Sequence, residues 1–261
     1  MSEKWTLRAI LDADPVEALE FDDLSDWFNP FLPHFVREAL RCGGEVRVAE
    51  RDGKVYGLYL LSPGERIASV LTRDRGIAEE FYGHRGPGPM YSPIALDPSA
   101  ERFLIYSLNA QHWEQVAPLR WPIRTAGLAD LPRVAALLHE EYGEVDERWI
   151  ATAPAESERC FVAEIDRALV GLGWASIVGR HGRVHSLLVR APYRGLGIGQ
   201  DLLRARLLWL RAAGAEEVLS EIAEQNHASR RVAERLGMAR VGEMYRLDRE
   251  GTKAGDARGP R

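Results

Sequence analysis

Residues 184–203 read VHSLLVRAPYRGLGIGQDLL, an apolar run followed by a polar loop, three glycines at alternate positions and the start of a helical pattern. This order predicts a strand, a glycine-rich turn and the N-terminus of a helix. Unpaired backbone N–H groups and the positive end of the helix dipole converge at such a turn. Because glycine has no Cβ, a phosphate can approach the backbone closely, and the segment predicts an anion-binding site.

Two common phosphate-binding motifs do not fit this loop. The P-loop requires Gly-Lys-Ser/Thr, whereas Gln200 and Asp201 follow Gly199. The Rossmann fingerprint requires a glycine at position 200 and normally opens a domain of strictly alternating strands and helices. What remains is an R-x-x-G-x-G pattern over residues 194–199.

That pattern resembles the pyrophosphate-binding loop of the GNAT superfamily of N-acetyltransferases. Three further segments resemble the family in the right order: IRTAGLADLPRVAALL (123–138) its first strand and helix, FVAEIDRALVGLGWASI (161–177) its second and third strands, and EIAEQNHASRRVAERLGM (221–238) its fifth strand and the next helix. The resemblance covers about residues 121–248. It implies an α+β (mixed α/β) GNAT fold, with a central mixed sheet flanked by helices.

A repeat organises the chain. RVAERDGKVYGLY (47–59) and FVAEIDRALVGLG (161–173) match without a gap at Val, Ala, Glu, Asp, Gly and Leu, with an offset of 114 residues. Each copy predicts a strand, a tight turn and a strand, so we expect two tandem copies of one unit; a chance similarity between hairpins is the alternative. Two prolines in HWEQVAPLRWP (112–122) set the expected boundary near residue 118. The expected parts are an N-terminal domain over 1–117, an acetyltransferase domain over 118–250 and a disordered tail over 251–261.

Apolar periodicity predicts the elements of the second half. Strands are expected at 122–126, 161–166, 168–178, 183–189 and 218–223. Helices are expected at 128–142, around 146–153, at 198–213 and from a cap at Asn226 to Leu236.

The first half is expected to be a degenerate acetyltransferase-like unit. Its fourth strand is predicted near MYSPIAL (90–96), with a helix from about Pro98 onward. The loop at 97–100, Asp-Pro-Ser-Ala, has no glycine and carries a carboxylate where a pyrophosphate would lie. We therefore expect that this half does not bind coenzyme A there.

The resemblance implies acetyl-coenzyme A as cosubstrate, without a metal. In the family this coenzyme lies where the fourth and fifth strands splay apart, and the fourth strand here is Val184–Val189. Backbone groups there would hold the pantetheine and thioester, with the Val189 N–H as oxyanion donor. The implied cofactor-binding residues are Leu187, Leu188, Val189, Arg194, Gly195, Leu196, Gly197, Ile198, Gly199, Gln200, Asn226 and Ser229.

The implied chemistry is direct attack of a primary amine on the thioester in a ternary complex. The ammonium, with a reference pKa of about 10, must lose a proton, and the leaving thiolate benefits from an acid. The family often supplies that acid as a tyrosine, but the position here is Ala233. Ser229, one turn after Asn226, is the substitute, with a plain packing role as the alternative. Glu221 and His185 are the candidate bases, and His185 is equally a plain sheet residue.

Acceptor recognition is predicted from HEEYGEVDERW (139–149), which carries five carboxylates. Glu140, Glu141 and Glu144 are expected to line the acceptor cleft and favour a cationic amine, with a solvated helix end as the alternative. The sequence does not distinguish a small-molecule amine from a peptide, and it leaves the oligomeric state open. Two other functions also remain open: a coenzyme-binding regulator without turnover, suggested by Ala233, and a transferase of a longer acyl group.

Composition limits the partners and the compartment. The 261 residues have a formal net charge of −5, which gives no basic field for nucleic acid or membrane, so neither is an expected partner. The longest uncharged apolar run, 168–179, is too short to span a bilayer, and the acidic N-terminus argues against a signal peptide. Cys42 and Cys160 form no disulfide framework or metal cluster, so we expect small buried thiols in a reduced, cytoplasmic protein.

Overall fold

The computed structural model describes residues 5–11, 16–25, 27–41, 43–61, 68–84, 89–109, 118–143, 150 and 157–248. These residues form two compact units, 5–103 with 243–248, and 104–242. The described strands are β1 Thr6–Ile10, β2 Glu20–Phe21, β3 Glu45–Arg51, β4 Lys54–Leu61, β5 Ala68–Thr72, β6 Met90–Ser92, β7 Glu101–Asn109, β8 Ile123–Thr125, β9 Glu158–Ile165, β10 Ala168–Val178, β11 His181–Val189, β12 Glu217–Ala223 and β13 Ala239–Leu247. The described α-helices are α1 Leu32–Arg41, α2 Arg75–Gly83, α3 Leu131–Tyr142, α4 Ile198–Ala212 and α5 His227–Arg235.

The two units repeat one order of elements. Apart from the short β2, the first runs β1-α1-β3-β4-β5-α2-β6 and the second β8-α3-β9-β10-β11-α4-β12. In each unit the first strand pairs antiparallel with the first hairpin strand, and the strands on either side of the second helix are parallel. The hairpin turns at Asp52 and Asp166 both use left-handed backbone. The matching sequence segments therefore belong to a structural repeat.

The two compact units divide between residues 103 and 104, and not at the expected boundary near residue 118. Leu104, Tyr106 and Leu108 of β7 are buried in the core of the second unit. The end of β13 belongs to the first unit, where Tyr245 pairs with Ser92 of β6. The assignment of domains to 1–117 and 118–250 stays a prediction, and the tail at 251–261 lies outside the described residues.

The helix expected from Pro98 is wrong. Residues Glu101–Asn109 form strand β7, in which Phe103 to Leu108 are all buried. A run that is apolar on both faces suits an interior strand better than an amphipathic helix. The loop before it is a turn in which the Asp97 carboxylate accepts hydrogen bonds from the Ser99 N–H at 2.7 Å and the Ser99 hydroxyl at 2.6 Å.

The counterpart of the glycine-rich loop in the first unit is the segment between β5 and α2, not residues 97–100. Strand β5 has a parallel partner in β6, as β11 has in β12. Asp74 caps α2 there, and its Oδ1 accepts from the N–H groups of Gly76 at 2.7 Å and Ile77 at 3.1 Å. This carboxylate occupies the N–H groups that an anion would use at a helix N-terminus.

The second unit has one helix layer on each face of its sheet. The strand order is β7-β12-β11-β10-β9-β8. Leu202 and Leu210 of α4 pack with Val184 on one side, whereas Leu138 of α3 packs with Trp174 on the other. The predicted strands and helices of this half are confirmed to within a few residues, except that 146–153 is described only at Ile150.

Cys160 fits the prediction of a buried apolar thiol. It lies in the core beside α3 and is 1% exposed. Burial raises the pKa of the Cys160 thiol above its ordinary value, which disfavours the reactive thiolate. Cys42 lies outside the described residues.

Candidate active site

Strands β11 and β12 pair only at their beginnings. They run parallel and pair at His181–Arg183 with Glu217–Leu219, and within the described range 157–248 no register pairs residues 184–189 with β12. One edge of β11 therefore presents backbone groups to a gap. Ligands commonly bind at such openings beyond the carboxyl ends of parallel strands.

A β-bulge interrupts β11 in its splayed half. Leu188 pairs with Leu172 and His185 with Trp174, so two residues of β11 face the single Gly173 of β10. Ser186, one of those two, has a φ of 52°, in the left-handed region that side chains disfavour. Bulges redirect side chains and recur next to active sites.

The buried guanidinium of Arg206 on α4 supports the bulge. Its Nη1 donates to the carbonyl oxygens of His185 at 3.0 Å and Trp174 at 3.1 Å. Gly173 leaves room for it, because a Cβ there would lie 2.9 Å from the Arg206 Cζ. Burial lowers the pKa of Arg206 to about 9. Sequence analysis missed this residue, although an arginine in the apolar stripe of a helix was an available signal.

The alternation of the antiparallel ladder orients Val189. The Arg190 N–H donates to the Val170 carbonyl at 2.9 Å across the β11–β10 pair. In such a ladder, residues alternate between facing the partner strand and facing away. Val189 therefore directs its N–H toward the gap, whereas Leu188 directs its backbone groups toward β10. The expected backbone contact from Leu188 is not supported, and Leu187 lies in the bulge.

The glycine-rich loop has the geometry of an anion site. Gly195 and Gly197 have φ values of 81° and 88°, and a Cβ on either would meet nothing within 4 Å. Gly197 is the N-cap of α4, and no side chain caps this helix. The N–H groups at 198–200 therefore remain available for phosphate oxygens, which fits a pyrophosphate.

The acidic residue in the first turn of α4 serves another contact. The buried Asp201 accepts hydrogen bonds from the backbone N–H groups of Arg120 at 2.6 Å and Trp121 at 2.9 Å. Arg204 donates to it at 3.0 Å. The Arg204 guanidinium offsets the charge of this carboxylate, so Asp201 weakens the positive potential of the helix N-terminus less than an unpaired carboxylate would.

Two predicted acceptor carboxylates lie against the loop after β11. Glu140 accepts a hydrogen bond from Arg190 at 2.6 Å, and Glu141 accepts one from Arg194 at 3.1 Å. Arg194 also donates through Nε to the Val189 carbonyl at 2.8 Å. These contacts join α3 to the glycine-rich loop, and Glu144 lies outside the described residues.

The two predicted bases differ in their surroundings. The Glu221 carboxylate accepts a hydrogen bond from Arg183 at 2.8 Å. His185 is largely buried, with Nε2 3.3 Å from Oε1 of Glu158 and Nδ1 3.0 Å from the Ser186 hydroxyl. Burial, followed by the charge of Arg183, lowers the pKa of His185 below its ordinary value. Sequence analysis missed Glu158 and Ser186, because their meeting depends on the register of three strands.

Helix α5 begins as predicted. The Asn226 Oδ1 accepts a hydrogen bond from the Ser229 N–H at 3.1 Å, which confirms the cap. Ala233, at the position of the family's usual tyrosine, is buried in the core of the second unit. The proposed role of the Ser229 hydroxyl stays a prediction.

Within the part of the chain that the structure describes, no three histidine, cysteine or acidic side chains come together in a way that could hold a metal ion. No helix formed by the described residues is long and apolar enough to cross a membrane. The cytoplasmic location stays a prediction.

Comparison with known proteins identifies the family. The model of the acetyltransferase (GNAT) family matches residues 113–238. An L-methionine sulfoximine/L-methionine sulfone acetyltransferase from Pseudomonas aeruginosa is 34% identical over 142 residues, covering 47% of this chain and 82% of that protein. The chain therefore belongs to the GNAT acetyltransferase family, and the expectation of an acyltransferase is confirmed.

Solved structures confirm the GNAT fold. A tandem GNAT protein from the clavulanic acid biosynthesis pathway aligns with a TM-score of 0.61 and 17% identity, covering 94% of this chain and 98% of that one. A GCN5-related N-acetyltransferase from Sphaerobacter thermophilus aligns with a TM-score of 0.56 and 19% identity, covering 93% and 95%. At these identities the likeness concerns the fold alone.

We predict that Arg206→Met destabilises the protein by about 1–3 kcal/mol, because buried carbonyl groups at the bulge lose their donor. Chemical denaturation measures this change in the free energy of unfolding. Arg211→Met, at an exposed position in the last turn of the same helix, is the matched control and is expected to change stability by about 0.5 kcal/mol or less. Equal stability changes in the two variants would contradict the role of Arg206.

Proposed function

We propose that this protein transfers the acetyl group of acetyl-coenzyme A to a primary amine by direct attack within a ternary complex. The observation that carries the proposal is the pairing of an uncapped helix N-terminus at Gly197 with an outward N–H at Val189 on the splayed edge of β11. The first feature suits a pyrophosphate, and the second suits a thioester carbonyl. When bound, acetyl-coenzyme A supplies the activated acetyl group.

The chain supplies groups for each part of the coenzyme. The N–H groups at 195–200 suit the pyrophosphate, and the guanidinium of Arg194, which pairs with Glu141, lies at the start of the same loop. Leu187 and Val189 flank Gly199, 3.8 and 3.6 Å from where its Cβ would lie, and would contact the pantetheine. Asn226 caps α5 after β12, the strand on the other side of the gap, and its side-chain amide would hydrogen-bond the same arm.

The chemistry needs an oxyanion donor and a proton acceptor. The Val189 N–H would stabilise the charge that develops on the thioester oxygen, an effect worth about 3–4 kcal/mol where comparable donors have been removed. His185 and Glu221 are the proposed bases; His185 is the better placed of the two because Arg183 engages Glu221. With alanine at position 233, the thiolate leaves either unassisted or with help from Ser229.

A small-molecule amine is the first acceptor class to test. The Pseudomonas relatives are named for methionine sulfoximine and methionine sulfone, two small amino-acid derivatives. The family model matches residues 113–238, which carry the proposed site. A peptide amine is the alternative acceptor.

We further propose that the first unit is degenerate and does not bind coenzyme A. Its equivalent helix N-terminus is capped by the Asp74 carboxylate, where the second unit has Gly197. A carboxylate at that point competes for the N–H groups and repels a pyrophosphate.

Thiol release from acetyl-coenzyme A tests the proposed function, with methionine sulfoximine, methionine sulfone, other amino acids, polyamines, aminoglycosides and peptides as acceptors. Gly197→Glu is expected to abolish coenzyme binding and thiol release, because a carboxylate then lies at the pyrophosphate loop. Gly214→Glu, at the other end of α4, is the matched control. The φ angle is 89° at Gly214 and 88° at Gly197, and a Cβ at either position would meet nothing within 4 Å. This control variant is expected to retain activity.

Three outcomes would contradict this function. Coenzyme binding without thiol release for any amine would favour a regulator without turnover, which the buried Ala233 also suits. Faster turnover with longer acyl-coenzyme A than with acetyl-coenzyme A would favour another acyl donor. Equal loss of activity in Gly197→Glu and Gly214→Glu would indicate backbone strain and not a lost anion site.

The acidic residues Glu140, Glu141 and Glu144 remain the proposed acceptor surface. If they attract a cationic amine, replacing all three by glutamine raises the KM for cationic acceptors and leaves neutral analogues unaffected. Steady-state kinetics at low ionic strength measure the effect, because salt screens such attraction. A change in the KM for acetyl-coenzyme A alone would instead assign Glu140 and Glu141 to the glycine-rich loop that they contact.

A further inference from the structure

Ser186 holds a left-handed backbone conformation at the β-bulge of strand β11. Among the described residues, the non-glycine residues with a left-handed φ are Asp52, Asp166, Arg167 and Ser186. The first three occupy hairpin turns, whereas Ser186 lies inside strand β11. This conformation costs a side-chain-bearing residue about 1–2 kcal/mol, and such strain is concentrated at functional sites.

The Ser186 hydroxyl begins a chain of polar groups that crosses three strands. It lies 3.0 Å from the Nδ1 of His185 on β11. The Nε2 of His185 lies 3.3 Å from the Glu158 Oε1 on β9, across strand β10, in which Trp174 pairs with His185 and Ser176 pairs with Glu158. The His185 and Glu158 side chains are only 13% and 10% exposed.

The hydrogen-bonding capacity of these groups determines which of them donates and which accepts in each hydrogen bond. An ionised carboxylate only accepts hydrogen bonds, so Glu158 requires the proton of His185 on Nε2. The Nδ1 of His185 then carries a lone pair and accepts from the Ser186 hydroxyl. This tautomer leaves the oxygen of Ser186 with lone pairs that can accept a further proton.

We propose that Ser186 and His185 form a proton relay for the acceptor amine, with Glu158 as the positioning residue that sets the tautomer. This inference rests on the proposed acetyl transfer and adds its proton path. Ser186 and Val189 both lie in the stretch of β11 that does not pair with β12, so the proposed relay and the proposed oxyanion donor belong to the same segment of the strand.

The proton and electron movements balance. The substrate ammonium gives a proton to the Ser186 oxygen while the hydroxyl proton passes to the His185 Nδ1. This leaves a neutral amine and an imidazolium that Glu158 stabilises. The nitrogen lone pair forms the C–N bond as the C–S bond breaks, and the thiolate takes the proton that the new amide nitrogen sheds. The imidazolium then releases its proton to solvent.

The charges around His185 favour the neutral, accepting form before catalysis. Burial and Arg183 lower the pKa of His185, whereas Glu158 and Glu221 raise it. The buried Arg206 reaches the His185 carbonyl oxygen from α4. With burial dominant, the base is neutral at pH 7, and the acidic limb of kcat is expected below the ordinary histidine pKa of about 6.5.

Two substitutions at position 186 separate the hydroxyl from the backbone strain. Ser186→Ala removes the hydroxyl and keeps the strain, whereas Ser186→Gly removes both. Both are expected to lower kcat by about 10–100-fold, because general-base catalysis is lost. The KM for acetyl-coenzyme A is expected to stay unchanged. Ser186→Gly is expected to fold at least as stably as the wild type, so misfolding does not account for its loss.

Substitutions at the histidine and glutamate test the rest of the relay. His185→Gln is expected to lower kcat at least as much as the serine variants. His181→Gln is the matched control, since His181 lies on the same strand with its Nδ1 3.7 Å from Glu217, where β11 and β12 are still paired. In Glu158→Gln, loss of the carboxylate is expected to move the acidic limb of kcat to lower pH, because Glu158 raises the pKa of His185.

Nitrogen NMR of His185 supplies a readout that needs no turnover. The relay predicts the Nε2–H tautomer in the wild type and a changed Nδ1 shift in Ser186→Gly. An Nδ1–H tautomer would overturn the relay, as would wild-type kcat in both serine variants. A stoichiometric acetyl group on Ser186 would also overturn it, because Ser186 would then be a nucleophile. Failure of the proposed function is distinct: the wild type would bind coenzyme and release no thiol with any amine.

Discussion

The separation of β11 from β12 is the constraint on which the proposed site depends. Paired only over their first three positions, the strands leave the second half of β11 with an open backbone edge inside a folded sheet. Backbone polar groups are costly to bury without partners, so a bound ligand is the natural completion of this edge. The bulge at Ser186 and the buried Arg206 behind it hold the open strand in shape. The proposed oxyanion donor and the proposed relay both lie on this stretch of β11, and the glycine-rich loop follows it directly.

The two units illustrate how one residue at a helix N-terminus changes the chemistry of a repeated fold. Both have a helix after the fourth strand of the repeat. In the first unit Asp74 satisfies the leading N–H groups from within the chain. In the second unit Gly197 leaves them for an anion from outside. The same topology therefore has a helix capped by its own side chain in one copy and an uncapped helix, the proposed phosphate site, in the other.

Local patterns were sufficient to predict much of the second unit, because its strand, glycine turn and helix follow from contiguous residues. The first unit was predicted less well. Subtracting the hairpin offset of 114 residues from 184–189 gives 70–75, which contains Asp74, whereas the sequence analysis placed the fourth strand near 90–96. The buried run of β7 was wrongly predicted to be a helix, because the strands on both sides of it are distant in the sequence. Arg206 and the Ser186–His185–Glu158 chain depend on register across several strands, which no single segment encodes.

We propose that the Val189 N–H receives the thioester carbonyl at the open edge of β11. Amide NMR of the full chain, titrated separately with coenzyme A and acetyl-coenzyme A, tests it directly. Both ligands should shift the amides at 195–200, because both carry the pyrophosphate. Acetyl-coenzyme A should shift the Val189 amide further downfield than coenzyme A does. Identical Val189 shifts with the two ligands, at saturating binding, would contradict the account.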